Sequence, residues 1–117
     1  MKTCYYAHSM AIMNTAQEAR DIDLIGKLGY LVINPFDDLY QASYQKDGID
    51  SLKPVVWSCD ILAFRSHVDM AIGAGVGKEI EWAVEKDIPV FELPSMMLSR
   101  IISVAETKEY LKETGQR

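Results

Sequence analysis

Three glycines fall within five residues, Gly73, Gly75 and Gly77, and a glutamate, Glu79, stands two positions further on in the run GAGVGKEIEWAVEK. Two readings of this spacing compete. In one, the glycines permit a tight strand-to-helix connection, and Glu79 is a solvated acid suited to a helix N-terminus, where such a charge contributes from a few tenths to about 1 kcal/mol. In the other, the glycines let a ligand approach bare backbone N–H groups. A nucleotide-phosphate loop is a poor match, because Lys78 is followed by Glu79 instead of Ser or Thr, and GAGVGK lacks the third glycine of GxGxxG. A carboxylate on that helix end would also repel a phosphate. Held ionised by the helix dipole beside an open loop, it suits nucleophilic attack on a carbon that develops positive charge.

Apolar β-favouring runs alternate with helical patterns along the chain. TCYYA (Thr3 to Ala7) reads as a strand, and Asn14 to Leu28 as a helix with Ala16, Ala19, Ile22, Ile25 and Leu28 on one face, ended by Gly29. YLVIN (Tyr30 to Asn34) is a second strand stopped by Pro35. Phe36 to Gly48 is polar and aromatic without a clear period. A short helix follows, either from Asp50 to Trp57 or starting near Lys53, since Pro54 is best tolerated in a first turn. DILAF (Asp60 to Phe64) is the third strand. Gly77 to Lys86 is a helix with Glu79 in its first turn and Ile80, Ala83 and Val84 on the core side, and PVFEL (Pro89 to Leu93) is the fourth strand. RIISV (Arg100 to Val104) is a candidate fifth strand before a polar helix, Glu106 to Glu113.

Alternation of strand and helix implies a parallel sheet with crossovers. The predicted class is α/β, a Rossmann-like or flavodoxin-like doubly wound sheet of four to five strands in order 2-1-3-4, with RIISV beside the fourth. In such sheets ligands bind outside the carboxyl ends of the strands, which selects the loops His8 to Met13, Pro35 to Asp38, Arg65 to Lys78 and Pro94 to Ser99.

Composition narrows the classes further. With 117 residues, 49% hydrophobic and 25% charged, the chain is read as one domain over 1–117. Its longest apolar runs are far short of the roughly 20 residues of a membrane span, and the N-terminus shows no secretory pattern, so a cytoplasmic protein without a membrane partner is expected. A net charge of -5 argues against nucleic acid as a partner. Cys4 and Cys59 lie in or beside apolar runs and read as reduced core residues, and the two histidines and two cysteines are too scattered for a metal site. No cofactor is expected.

GVGKEIEWA, a lysine and then IPVFEL resemble the GxGxELGxA…GKPV signature of the nucleoside 2-deoxyribosyltransferase-like family, whose 2'-deoxynucleoside 5'-phosphate N-hydrolase subgroup shares the GVGxE core. YYAHS (Tyr5 to Ser9), Pro35 and CDILAF (Cys59 to Phe64) fall in the family's order, so the resemblance runs from about Lys2 to Leu93. It implies that Glu79 attacks the anomeric carbon of a nucleoside sugar, that Tyr5 positions the carboxylate, and that Ser9, with His8 beside it, contacts a 5'-phosphate or 5'-hydroxyl. It implies a homodimer or higher oligomer as well, in keeping with apolar residues at Met10, Ile12, Met13 and Met96 to Leu98. LSRII (Leu98 to Ile102) is similar to a segment whose serine reaches a neighbouring subunit's phosphate, which points to Ser99.

The sequence departs from the pattern in two places. Where the family usually carries Asp or Ser six residues before its glutamate, this chain has Gly73, with Asp69 or Ser66 as a replacement. The second carboxylate, which assists departure of the base, finds its nearest match in Asp50. Asp60 lies at the wrong end of its strand for catalysis and reads as structural. Cleaving an N-glycosidic bond takes one anionic carboxylate, here Glu79, and one acid, Asp69 or Asp50, with a pKa raised by burial. The expected function is hydrolysis or transfer at that bond in a nucleoside or its 5'-monophosphate. The opposing reading, favoured by Gly73, is a non-catalytic nucleotide or nucleotide-sugar sensing module.

Overall fold

A computed structural model describes residues 2–65, 74–93 and the strand at Met97–Leu98. Four parallel strands form the sheet in order β2-β1-β3-β4: β1 Thr3–Ala7, β2 Leu31–Ile33, β3 Ile61–Phe64 and β4 Val90–Glu92. This is the doubly wound α/β architecture that the alternating pattern predicts. A two-residue β5, Met97–Leu98, closes the β4 edge and runs antiparallel to it. The fifth strand expected at RIISV lies outside the described residues, as do the helix expected at Glu106 to Glu113 and Ser66, Asp69, Gly73 and Ser99.

Pleating decides which residues meet. Within β1, Tyr5 and Ala7 join Leu62 and Phe64 of β3 in one buried cluster, while Cys4 and Tyr6 join Ile61 and Ala63 in the other. Both faces of these strands are covered, which is why they read as continuous apolar runs. The first face carries α2 (Asp38–Asp47), α3 (Lys53–Trp57) and α4 (Ala74–Glu85), whereas α1 (Ala16–Lys27) packs on the second. Asp60 fastens the start of the central pair, its carboxylate accepting from the Thr3 backbone N–H at 2.7 Å. Cys4 and Cys59 are both buried and free.

β5 falls within Pro94 to Ser99, a stretch expected to be a loop, and three helices also differ from the sequence reading. Helix α1 is turned in part from its expected face: Ile22 and Ile25 meet the core as expected, but Ala16, Ala19 and Leu28 are exposed and Asp21 is buried. A polar pull explains the rotation, since Asp21 accepts hydrogen bonds from the Tyr6 hydroxyl and the Arg65 guanidinium. Helix α2 occupies a stretch read as aperiodic because it buries no side chain completely and offers only Tyr40 and Tyr44, one turn apart, to the core. Helix α4 starts at Ala74, not Gly77, so Gly75 and Gly77 are helical and Glu79 falls in the second turn. Glycine in a helix interior costs up to about 1 kcal/mol relative to alanine. At Gly75 a Cβ would stand 3.3 Å from Cδ1 of Ile49, close enough that the Ile49 side chain would have to shift by a few tenths of an ångström.

Candidate active site

The carboxyl ends of β1 and β2 open into a cavity of about 180 Å³. The loop after β1 contributes His8, Ser9 and Met10, and the loop after β2 contributes Pro35 and Phe36. Helix α2 adds Gln41 and Tyr44, the 3-10 turn Ile49–Leu52 adds its two apolar ends, and α4 adds Gly75, Val76 and Glu79. Most of this wall is apolar, with a few convergent polar groups, the usual make-up of a small-molecule site.

Glu79 is the one carboxylate among the described residues that lines the cavity, and it is only 3% exposed. The Tyr5 hydroxyl, itself fully buried, donates to Oε2 of Glu79. Burial pushes the Glu79 carboxyl up to about 8, with the Tyr5 hydrogen bond opposing the rise. The Tyr5 phenol is pushed far above its ordinary range, by burial first and then by the neighbouring carboxylate. An ionised Glu79 sustained by the α4 dipole is therefore not what the fold provides. The residue sits a turn too deep for that, and its burial favours the neutral form. Tyr5 does not line the cavity; it positions the carboxylate from behind.

At the end of β1, both ring nitrogens of the buried His8 have partners, Nδ1 with the Tyr6 carbonyl at 3.0 Å and Nε2 with Oε2 of Glu18 at 2.8 Å. Its ring stacks on Tyr6 at 3.8 Å between centroids and meets the edge of Phe36 at 4.8 Å. His8 is thus a fixed wall. Next to it, Ser9 Oγ is buried without a hydrogen-bond partner among the described residues. A buried hydroxyl left unmatched has a donor and acceptor capacity that a ligand in the cavity can satisfy.

The fold thus brings Glu79, His8, Ser9, Pro35 and Gly75 around one cavity, with Tyr5 behind it. Gly77 is buried in α4 without lining the space. Asp50 does not belong to the site: its side chain is 77% exposed and pairs with Lys78 at 3.5 Å. Its place in the turn after α2 directs it to solvent, so it lacks the burial that an acid of raised pKa requires. Asp69, Gly73 and Ser99 lie outside the described residues. Sequence reading missed Gln41, Tyr44, Ile49 and Val76. The usable signal for the first two was the i, i+4 spacing of Tyr40 and Tyr44 ahead of Gly48, which ends α2 with φ +78°.

Among the described residues no group of three or more His, Cys, Asp or Glu comes together as metal ligands, and none of the helices is long and apolar enough to cross a membrane. Comparison with family models, with curated proteins and with solved structures returned no match.

Proposed function

We propose that the chain cleaves the N-glycosidic bond of a nucleoside or nucleoside 5'-monophosphate, by hydrolysis or by transfer to a second base, with Glu79 as nucleophile. The observation that carries this reading is the buried Tyr5–Glu79 pair presented to a cavity at the carboxyl ends of the strands. The likeness of GVGKEIEWA and YYAHS to the nucleoside 2-deoxyribosyltransferase-like family supports the same roles. In the reaction, a carboxylate oxygen of Glu79 bonds to the anomeric carbon as the carbon–nitrogen bond breaks and its electron pair leaves with the base, which takes up a proton. Water, or the nitrogen of another base, then displaces Glu79 from the glycosyl ester.

The raised pKa of Glu79 fits this sequence of events. A poorly solvated carboxylate is destabilised by burial and regains stability as positive charge develops on the sugar. Ser9 Oγ offers a contact for the 5' substituent, and Asp69 is the candidate to protonate the leaving base. A homodimer or higher oligomer belongs to the same proposal. A non-catalytic nucleotide or nucleotide-sugar binding module is the second reading, favoured by the placement of Asp50 away from the cavity. Incubation with a panel of nucleosides and their 5'-monophosphates, followed by chromatography, separates the two. The enzyme releases free base, whereas the binding module retains ligand intact.

A further inference from the structure

The loop after β1 brings Ser9 to the cavity with little packing of its own. From Ser9 to Thr15 no residue is fully buried, and Met10 is 62% exposed. Its internal bonds are those of a 3-10 turn, Met10–Ile12, in which the Ile12 N–H donates to the Ser9 carbonyl at 3.0 Å and the Met13 N–H to the Met10 carbonyl at 3.2 Å. These bonds give the loop a shape but do not fasten it to the body of the protein. Asn14 then takes a left-handed conformation, φ +61°, and Thr15 caps α1.

Glu18, in the first turn of α1, supplies the fastening. Its N–H donates to the Thr15 hydroxyl at 3.3 Å, and its carboxylate reaches back over the loop. Oε1 accepts from the Asn14 N–H at 3.2 Å, much as the acid of a capping box would. Oε2 lies 2.8 Å from Nε2 of His8, the residue immediately before Ser9, and no capping motif calls for that second contact. With its side chain only 12% exposed, Glu18 is shielded from the water that weakens a surface pair. The Tyr6 carbonyl can only accept, so Nδ1 of His8 donates to it, and the bond to Glu18 needs a second proton between Nε2 and the carboxylate. Held by both nitrogens and stacked on Tyr6, the ring cannot turn without breaking these bonds.

We propose that Glu18 is a positioning residue of the cavity: one carboxylate clamps the loop at His8 and at Asn14, and thereby holds Ser9 Oγ where a ligand meets it. Glu18 does not line the cavity and acts through Ser9. Only the identity of that ligand as a nucleoside or its 5'-monophosphate rests on the function proposed above. The clamp is a property of the protein without ligand.

Two variants test it. Glu18→Ala loses both bonds, whereas Glu18→Gln can rebuild them, its carbonyl oxygen accepting from the Asn14 N–H and its NH2 donating to Nε2 of a neutral His8. Amide exchange followed by NMR should be at least about tenfold faster at Ile12, Met13 and Asn14 in Glu18→Ala than in the wild type or Glu18→Gln, with β1, β3 and α4 unchanged. For the best substrate of the panel, KM should rise about tenfold in Glu18→Ala with kcat changed less than about threefold, and Glu18→Gln should restore it. Because Glu18 acts through Ser9, adding Glu18→Ala to Ser9→Ala should raise KM little beyond Ser9→Ala alone. Unchanged loop exchange in Glu18→Ala, exchange accelerated throughout the sheet, a Glu18→Gln protein no better than Glu18→Ala, or KM effects that multiply in the double variant would each overturn the proposal. A panel from which no base is released removes the enzymatic reading and leaves the exchange comparison to decide the clamp.

Discussion

Tyr5 and Tyr6 are neighbours in β1, and pleating sends each to an opposite face of the sheet, where each donates to a buried carboxylate. On the α1 face Tyr6 meets Asp21, and the Arg65 guanidinium spans both carboxylate oxygens, at 3.1 Å from Nε to Oδ2 and 2.5 Å from the terminal nitrogen to Oδ1. On the other face Tyr5 meets Glu79, with no ion pair to that carboxylate among the described residues. The chemistry is the same except for one cation. With it, the buried charge is matched and locks α1 to the end of β3; without it, burial raises the pKa of a carboxyl that faces a cavity. An unmatched carboxyl is a poor device for stability, and once ionised it is a good one for stabilising a positive charge that appears only during reaction.

Removing the cation breaks the contrast most severely. Arg65→Ala leaves Asp21 buried without its partner and should lower the free energy of unfolding by about 3–5 kcal/mol, measured by urea denaturation at pH 7. That is a large part of the total of about 5–15 kcal/mol common to such domains. A loss under about 1 kcal/mol would mean that Arg65 is not what holds Asp21 in the fold.

Glu79 should show the reverse dependence on its own charge. Below its ordinary pKa of 4.5 the carboxyl is protonated in the folded and unfolded chain alike, and its burial carries no charge penalty. From there to about 8 the unfolded chain ionises while the folded one keeps its proton, so this contribution to stability is lost progressively as the pH rises. Glu79→Gln, which cannot ionise, should match the wild type near pH 4.5 and gain on it by about 2–4 kcal/mol by pH 8. Parallel stability curves for the two proteins over that range would show that Glu79 is ionised in the fold.

The smallest of these effects comes from Tyr5→Phe. The phenol's hydrogen bond lowers the Glu79 pKa, so its loss should raise it further, by about one unit if the bond contributes an ordinary 1–1.5 kcal/mol. Carbon-detected NMR titration of the Glu79 carboxyl reads this directly. An unmoved titration would remove Tyr5 as the positioning residue.

Much of the fold was legible because fully buried strands and a Gly-terminated helix write themselves plainly. TCYYA matches β1 residue for residue, and Pro54 marks the start of α3. Two kinds of signal failed. The buried face of α1 is set by Asp21, whose partner Arg65 is 44 residues away and cannot be read from helical spacing. Helix α2 makes only half-buried contacts, so its sequence carries almost no stripe, and with it went Gln41 and Tyr44. The glycines misled in another way. Two of them are helical, which moves Glu79 from the solvated first turn into the interior, where burial raises its pKa.

The most direct measurement is base release from the nucleoside and 5'-monophosphate panel by the wild type, Glu79→Ala and Glu79→Gln, followed by the pH profile of kcat/KM for the best substrate. Nucleophilic attack by Glu79 predicts that both variants lose at least about 1000-fold in rate while remaining folded, and that wild-type kcat/KM climbs with pH until the carboxyl is ionised near 8. Wild-type turnover in either variant, or a panel bound without release of any base, would contradict it.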